Sequence, residues 1–323
     1  MSIVYDTCSV LIEPQGGKTL VLTILLTALA LLATAFIGVL GRAVLKCGTR
    51  VPGPESILLG AITNFFDTLG IGSFAPTTAW LRFRRMIPDS FIPATLNVGH
   101  ALPAMAQSAI FLILLGVHVD PALLIACIVA AVAGAVVGAP LMVRAPVRLV
   151  QGIVGVALLI AAALYAMSNL DLMPIGGTAT ALEPRLLWIA VAAHFAMGML
   201  MAFGIGLYAP SLILLSLLGL DPRLAFPIMA SACAFLMPTT GFRYIKAERI
   251  DLRVVIGIAL GGIPAVLLAA FVVKELPIEP LRWAIVVVVL YAAACFCAQR
   301  QKGTPQRPSS VRGRSRPARR PRP

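Results

Sequence analysis

Long apolar stretches, each close to the length of a membrane-spanning helix, recur along the whole chain. Runs of about 20 apolar residues can cross the hydrocarbon layer of a bilayer as an α-helix. The pattern predicts seven spanning helices, at approximately 19–41, 89–116, 121–142, 147–168, 223–242, 253–273 and 281–299. The sequence lacks the alternating strands of about ten residues that form an outer-membrane barrel. The chain is therefore expected to be an all-α, polytopic integral membrane protein.

Two further apolar stretches, 56–83 and 186–219, are interrupted by glycines. In the first, the legs 56–69 and 74–83 would be about 21 Å and about 15 Å long as helices. Neither leg can cross a layer of roughly 30 Å alone. The element is either one broken helix that spans the bilayer or two half-helices that form a re-entrant hairpin. The first leg of the second stretch, about 18 residues long, could nearly span.

Basic residues favour the hairpin. Lys and Arg concentrate in short cytoplasmic loops, and basic clusters at 42–50 and 82–85 flank the first broken stretch. A spanning helix would place these clusters on opposite faces, whereas a hairpin places both in the cytoplasm. The predicted topology is multi-pass in the cell inner membrane, with the N-terminus external and the C-terminus cytoplasmic.

The chain contains an internal duplication. GIGSFAP at 70–76 recurs as GIGLYAP at 204–210, and the same offset pairs Pro88 with Pro222. Such long-period duplication is a hallmark of secondary transporters, and an odd number of crossings per half predicts inverted repeats. The expected segments are an N-terminal part with one extra helix, a first repeat, an external linker, a second repeat and a disordered Arg/Pro-rich cytoplasmic tail, at 1–55, 56–170, 171–185, 186–299 and 300–323.

Composition agrees with a membrane protein, since 59% of the 323 residues are hydrophobic and 12% are charged. A net charge of +13 would suit a nucleic-acid-binding protein, but the position of the basic residues gives another explanation. Nine of the 26 basic residues lie in the tail 300–323, which contains no acidic residue and is too polar to form a core. We expect this tail to lie near anionic lipid, and no nucleic acid is expected as a partner.

The two glycine breaks are the predicted substrate site. Irregular backbone at membrane depth is tolerated only where it is buried in protein or lines a cavity, and glycine accepts the positive φ that a reversal needs. Two half-helix N-termini, the first with Ser73 as expected N-cap, would face the interior and attract an anion. The predicted substrate-binding residues are Gly70, Gly72, Ser73, Thr77, Asn97, His100, Gly204, Gly206, Tyr208 and Ser211.

Each of these assignments has a structural alternative. The glycines could form a hinge only, and a buried Ser or Thr commonly hydrogen-bonds a carbonyl of its own helix. Asn97 and His100 could be paired structurally instead of facing a polar cavity.

Asp67 is the one acidic residue of 13 that lies well inside an apolar segment. Ionisable residues at this depth are costly and by default functional. Burial disfavours the charged carboxylate, and a bound anion nearby would disfavour it further. Asp67 is therefore the predicted proton-coupling residue, with His100 as reserve; the alternative is a neutral or paired structural carboxyl.

At these residues the sequence resembles the TauE/SafE family of sulfite exporters and sulfonate uptake permeases. Its members carry two glycine-rich stretches with a following proline, matched here by GIGSFAP and GIGLYAP. Asp120, Asp251 and the small-residue runs 133–139 and 261–265 also match, and the resemblance covers 56–299. Both copies depart from the family pattern, because its run of three glycines is reduced to Gly-x-Gly. The resemblance implies transport of sulfite, a sulfonate or another small anion, driven by an ion gradient.

The resulting expectation is a secondary transporter of a small anion such as sulfite, a sulfonate or an organic acid, coupled to protons. No enzymatic activity, catalytic residue, metal or cofactor is predicted. The alternatives are a membrane-embedded hydrolase that uses Ser73 and His100, and a membrane scaffold that acts through its basic tail. Expected partners are the anion, a proton or other coupling ion, the lipid bilayer and a second copy of the chain in a homodimer.

Overall fold

The computed structural model describes residues 15–48, 51–115, 118–146 and 177–272, with isolated positions between 149 and 170. The predicted helix at 147–168 lies mostly outside these ranges, and the helix at 281–299 and the basic tail lie entirely outside them. Regular structure in the described ranges is helical, apart from one isolated bridge pair.

Ten α-helices are described, together with a 3₁₀ turn, Asp89–Phe91, that leads into the fourth. They are α1 Gln15–Cys47, α2 Pro54–Thr68, α3 Phe74–Phe83, α4 Ile92–Gly99, α5 Ala101–Leu115, α6 Pro121–Arg144, α7 Pro184–Met201, α8 Tyr208–Leu217, α9 Pro222–Lys246 and α10 Leu252–Val272. The predicted helix 89–116 is split at His100 into α4 and α5.

Six helical stretches among the described residues are long and apolar enough to cross a membrane. They are Gly17–Cys47, Asp89–Leu115, Pro121–Arg144, Pro184–Met201, Pro222–Lys246 and Leu252–Ala270. The multi-pass membrane protein expected from the sequence is thereby confirmed. α7, expected as one leg of a hairpin, is among the six, whereas α2, α3 and α8 are too short.

Aspartates and prolines determine where several helices begin. Asp120 accepts the backbone N–H of Leu123 at 2.8 Å, and Pro121 fills the first helical position, where a missing N–H costs nothing. Asp221 and Asp251 accept backbone N–H groups in the same way at the starts of α9 and α10. Asp120 and Asp251, which carried part of the family resemblance, are therefore helix caps.

The two breaks close their first legs with the same backbone geometry. In each, two N–H groups beyond the helix donate to carbonyls of its last turn. The bonds join Gly70 to Asp67, Ile71 to Phe66, Gly204 to Met201 and Ile205 to Leu200, at 2.9 to 3.4 Å. Gly70 and Gly204 adopt left-handed φ values of +88° and +91°, as this helix ending requires. The sequence duplication is thus also a duplication of backbone conformation.

The second glycine of each motif behaves differently in the two copies. Gly72 has a φ of +90°, whereas Gly206 is not in the left-handed region. Gly206 therefore does not use the positive φ that glycine permits. The residue after it, Leu207, is already helical in φ and ψ and leads directly into α8.

The ends of the first broken element meet. Glu55, in the first turn of α2, accepts hydrogen bonds from Trp80 Nε1 at 3.1 Å and Arg84 Nε at 2.7 Å, at the far end of α3. The bond from Arg84 lowers the pKa of Glu55. Two legs of about 22 Å and about 15 Å can meet in this way only if the chain doubles back at the break. α2 and α3 therefore form a hairpin.

The second broken element closes in a similar manner. Residues before α7 and after α8 pair in an isolated parallel bridge between Ala179 and Leu220. The backbone N–H of Asp221 donates to Ala179 at 2.9 Å, and that of Ala179 donates to Gly219 at 3.2 Å. The N–H of Asp120 also donates to Thr180 at 3.3 Å, so the start of α6 adjoins this base.

The stretch Asp89–Leu115 connects the two hairpin bases. At its start, Asp89 forms an ion pair with Arg82 of α3. Its end leads into the loop that contains Asp120, beside the base of the second hairpin. The 27 residues between these points would measure about 40 Å as a continuous helix. The two hairpin bases therefore lie near opposite ends of this stretch.

Each long hairpin leg packs against a helix of the other half of the chain. α2 packs along α10, and α7 packs along α6. Glycines make both contacts close, because a Cβ on Gly261 would overlap the carbonyl oxygen of Ile57, and one on Gly134 would overlap that of Phe195. Small residues of this kind allow helix backbones to approach closely in membranes. We call these two contacts the glycine seams.

α9 lies in the interior, and α1 lies at the outside. Met229, Cys233 and Leu236 of α9 are fully buried. α1 adjoins α9 through Phe36, whose ring lies 5.6 Å from that of Phe242 in an edge-on arrangement. Large apolar side chains cover the outer surface, including Leu31, which is 68% exposed. An apolar exterior of this kind is suited to contact with lipid.

The glycine seams generate a stability prediction. Gly261→Ala should lower the unfolding midpoint in detergent, because the added methyl group meets the backbone of α2 rather than a movable side chain. Overpacking of this type costs about 1–3 kcal/mol. Gly38→Ala on α1 is the matched control, since no atom lies within 4 Å of its added Cβ. Equal midpoints for the two variants would contradict the importance of the seam.

Candidate functional site

The starts of the two short half-helices are buried and adjacent. Ser73 and Phe74 at the start of α3, and Leu207 and Tyr208 at the start of α8, are all less than 5% exposed. A Cβ on Gly206 would lie 3.4 Å from Cβ of Phe74, so the second break contacts the beginning of α3. Both half-helix N-termini are thus brought into one interior region, as the sequence predicted.

Asp67 bridges the first break with its side chain. Its Oδ1 accepts the backbone N–H of Ser73 at 2.6 Å, and the Ser73 side chain is also a hydrogen-bond partner of this carboxyl. Ser73 occupies the expected N-cap position, but its side chain makes no capping bond to α3. The carboxyl of Asp67 therefore connects the end of α2 to the start of α3.

His100 lies buried between α2 and α3. Its Nδ1 is 2.9 Å from Asn64 Oδ1, and its Nε2 is 3.1 Å from Thr77 Oγ1. Asn64 donates from Nδ2 to the carbonyl of Gly60 at 2.7 Å, which leaves its Oδ1 to accept. The network therefore assigns the hydrogen of neutral His100 to Nδ1, so that Nε2 accepts the Thr77 hydroxyl.

His194 makes an equivalent arrangement in the second half. Its Nδ1 is 2.8 Å from the carbonyl oxygen of Ala190, which can only accept, so Nδ1 carries the hydrogen. Its Nε2 is 3.0 Å from Ser211 Oγ and accepts that hydroxyl. Thr77 and Ser211 occupy the same position in the two copies, directly after the motif proline. We call Thr77–His100 and Ser211–His194 the two hydroxyl–imidazole pairs.

The sequence did not place His194 in the site. The signal that could have indicated it is a hydroxyl residue at the same position of both motif copies. If the hydroxyl of the first copy binds an imidazole, the hydroxyl of the second copy is expected to have a comparable hydrogen-bond partner. The two imidazoles are not themselves at equivalent positions, because His194 lies on the first leg of its hairpin and His100 lies between α4 and α5.

Side-chain amides satisfy backbone carbonyls at both breaks. Asn97 donates from Nδ2 to the carbonyls of Pro93 and Met201 at 2.8 and 3.0 Å. Gln107 donates from Nε2 to the carbonyl of Asp67 at 3.3 Å. Asp67 and Met201 are equivalent positions of the two copies. Asn97 is thus hydrogen-bonded within the protein, which is the structural alternative for this residue, and it supports the second break.

Several other hydroxyl groups bond within their own helices, and two motif glycines lie close to residues of other helices. Thr63, Thr68 and Thr239 each donate to the carbonyl four residues earlier, the back-bond expected for most hydroxyls. A Cβ on Gly70 would meet the ring of Phe226 at 3.0 Å, and one on Gly204 would meet Pro93 at 3.4 Å.

Three buried polar atoms among the described residues have no hydrogen-bond partner: Tyr208 Oη, Gln107 Oε1 and Thr78 Oγ1. Buried polar atoms are almost always hydrogen-bonded, so an unpaired one calls for an explanation such as a functional role or a bound water or ion. Tyr208 is the first residue of α8 and follows the second break, which contacts the start of α3 through Gly206 and Phe74. The residue that carries this unpaired hydroxyl therefore begins a half-helix close to the start of α3.

The structure does not form the catalytic pair of the hydrolase alternative. Both ring nitrogens of His100 are occupied by Asn64 and Thr77, and Ser73 is bonded to Asp67. A serine nucleophile needs a base within hydrogen-bonding reach of its hydroxyl. Ser73 and His100 do not meet that condition here.

Comparison with known families gives a match for the part of the chain that begins in α7. Residues 186–322 match the family model of the sulfite exporter TauE/SafE. The match includes the second glycine break, Ser211 and all of α8 to α10. TauE/SafE is also the family that the sequence resembles, and the match confirms that resemblance over residues 186–322, which include the second motif copy but not the first. No curated protein and no solved structure matches the chain. TauE/SafE proteins are membrane transporters of the sulfite or sulfonate type and not enzymes.

The hydroxyl–imidazole pairs generate a spectroscopic prediction. In the ligand-free protein near neutral pH, both His100 and His194 should be neutral and carry hydrogen on Nδ1. Nitrogen-15 NMR of histidine-labelled protein distinguishes this tautomer from the Nε2–H form that predominates for free imidazole side chains. His118, outside the network, is the internal control. An Nε2–H tautomer at either buried position would contradict the assigned bond directions.

Proposed function

We propose that this protein is a secondary transporter of a small anion such as sulfite, a sulfonate or an organic acid. The observation that carries the proposal is the unpaired Tyr208 hydroxyl at one of two buried, adjacent half-helix N-termini. Helix N-termini supply free N–H groups and a positive dipole end, and together they attract a negative charge. The TauE/SafE match from residue 186 onward agrees with this substrate class.

The anion would bind between the starts of α3 and α8. Backbone N–H groups after Ser73 and Leu207 would contact its oxygens, with hydroxyl groups of Ser73, Thr77, Tyr208 and Ser211 around them. The glycines at 70, 72, 204 and 206 act by shaping the two breaks.

We further propose that the two hairpins are re-entrant and that the halves 56–170 and 186–299 are inverted repeats. Each hairpin closes at its base, and the bases lie near opposite ends of the stretch Asp89–Leu115. Entry from opposite faces would bring the two breaks together near mid-membrane, where such transporters bind substrate. The segment 1–55 adds one helix with an external N-terminus, 171–185 is an external linker, and 300–323 is a cytoplasmic tail.

The topology is tested by chemical accessibility. In a variant without native cysteines, cysteines at Arg84, Arg144 and Arg249 should be protected from an external, membrane-impermeant thiol reagent. A cysteine at Glu183, in the external linker, should react and serves as the positive control. External labelling at Arg84 or Arg144 with protection at Arg249 would mean that the first broken element spans.

Proton coupling is proposed to reside at Asp67. Its carboxyl contacts the start of α3 through Ser73, directly beside the proposed anion site. A carboxylate and an anion repel each other in a medium of low dielectric constant, so anion binding favours the protonated carboxyl. By reciprocity, protonation of Asp67 increases anion affinity, and affinity falls as rising pH removes that proton. Anion and proton would therefore enter together.

Asp67→Asn tests both the anion site and its coupling. Sulfite and methanesulfonate should raise the unfolding temperature of the purified protein, because a ligand stabilises the state that binds it. In the wild type, stabilisation by methanesulfonate should be greater at about pH 5.5 than at about pH 8, and Asp67→Asn should weaken this dependence by about one proton per anion. The variant should also uncouple flux from an imposed proton gradient.

Asp221→Asn is the matched control, since Asp221 caps α9 outside the site and asparagine also caps helices. Methanesulfonate is chosen because its own charge is constant over this pH range. The same pH dependence in Asp67→Asn and wild type would assign Asp67 a structural role. Absence of stabilisation by either anion in the wild type would contradict the proposed function.

A further inference from the structure

The two hydroxyl–imidazole pairs occupy corresponding places around the proposed anion site. Thr77 and Ser211 each lie in the first turn of a short half-helix, and each donates to Nε2 of a fully buried imidazole. Neither hydroxyl makes the back-bond to its own helix that Thr63, Thr68 and Thr239 make. The same bond direction therefore occurs once in each half, through histidines from different elements.

The direction of these bonds determines what the hydroxyls offer to an anion. A neutral imidazole with hydrogen on Nδ1 has only a lone pair at Nε2, so the hydroxyl hydrogen is used in the bond. Toward the interior, Thr77 and Ser211 then present only lone pairs. Lone pairs repel an anion, so both groups oppose anion binding in this state.

Protonation of the imidazole reverses each bond. When Nε2 gains a proton, it becomes a donor to the hydroxyl oxygen, and the hydroxyl hydrogen is released to point elsewhere. One proton taken from the aqueous phase thus converts one hydroxyl from acceptor to donor without breaking a covalent bond. The released O–H group lies in the first turn of the half-helix, where the anion would bind.

We propose that Thr77–His100 and Ser211–His194 are proton-switched hydrogen-bond donors for the anion, one in each half of the protein. This inference rests on the proposed function and deepens it, because it makes His194 a positioning residue of the substrate site. It also states how a proton changes the site, through the direction of two hydrogen bonds. The two pairs add to Asp67, which acts through charge.

The surroundings of the imidazoles link the proton to the anion. Around His100, the ionisable groups buried in the bundle are Asp67 on α2, Arg82 on α3, which pairs with Asp89, Tyr208 on α8, and Cys233 and Tyr244 on α9. Toward their ends, α1, α2, α9 and α10 also carry Lys18, Arg42, Lys46, Cys47, Glu55, Arg223, Arg243, Lys246 and Arg253, whereas α4 and α5 contain none. On the described helices packed against α7, the ionisable groups are Cys127 and Arg144 of α6 and Tyr208 of α8. A buried imidazolium is costly without a counter-charge. The bound anion supplies that charge, so proton and anion should bind together.

The test compares proton uptake and anion affinity in hydroxyl variants of the full-length protein. Thr77→Val and Ser211→Ala remove the switched donors, while Thr77→Ser and Ser211→Thr preserve them. Thr63→Val is the matched control, because its buried hydroxyl only back-bonds to Leu59. Methanesulfonate binding is measured by calorimetry in buffers of different ionisation enthalpy, which gives the protons taken up per anion bound.

Thr77→Val and Ser211→Ala should each reduce proton uptake by up to about one per anion. Each should weaken methanesulfonate binding about tenfold or more at about pH 5.5, where a charge-linked donor is lost, and little at about pH 8. The conservative variants should keep the proton uptake and the pH dependence of binding, and Thr63→Val should behave as wild type. A structural role for the hydroxyls would instead weaken binding equally at both pH values.

The outcomes separate this inference from the proposed function. If the wild type takes up protons with methanesulfonate, Asp67→Asn reduces that uptake, and the two hydroxyl deletions do not, the inference is wrong and the proposed function stands. Equal loss of affinity at both pH values in the deletions also overturns it. If the wild type binds neither methanesulfonate nor sulfite, both proposals fail.

Discussion

Backbone groups at two helix breaks have to be hydrogen-bonded in a place that water does not reach. A helix that stops inside the bilayer leaves N–H and C=O groups without helical partners, and each unsatisfied group is costly in an apolar medium. Here the left-handed glycines Gly70 and Gly204 close the two first legs, and side chains satisfy part of the remainder. Asp67 accepts an N–H across the first break, and Asn97 and Gln107 donate to carbonyls. The polar interior is therefore first a requirement of the backbone, from which the proposed anion site follows.

The same constraint explains why the hairpin of each half packs against helices of the other half. A short hairpin with an open break cannot face lipid, so it needs long helices around it. Each half provides those helices for the other, since α2 packs along α10 and α7 along α6. The glycine seams bring backbones into contact and leave little side-chain entropy to lose.

Elements that depend on local sequence could be predicted, whereas those that depend on contacts across the bundle could not. The duplicated motif predicted both breaks, and the isolated carboxyl of Asp67 predicted a polar group at the first of them. The pairing of Thr77 with His100 depends on how α3 crosses the α4–α5 junction. The spacing of these residues in the sequence does not determine that crossing. The neutral tautomer at His194 likewise depends on a carbonyl of its own helix and a hydroxyl 17 residues away. Gly206 shows the limit within the motif, because an identical residue need not adopt an identical conformation.

The two halves share backbone geometry but differ in charge at one equivalent position. Asp67 in the first half corresponds to Met201 in the second, whose sulfur lies 3.9 Å from Cys233 Sγ. A second carboxyl at that position would place two negative charges beside one anion site, and their repulsion would oppose binding. With methionine there, one carboxyl, that of Asp67, contacts the start of α3, and two imidazoles contact Thr77 and Ser211 in the first turns of α3 and α8. The hydroxyl–imidazole pairs occur in both halves, whereas the carboxyl occurs in one. The proposed donors are therefore symmetric between the halves, and the charge is not. Under the proposed mechanism, reversal of the two hydrogen bonds would supply donors from both halves of the protein. The net charge of the site would be set by Asp67, in the first half alone.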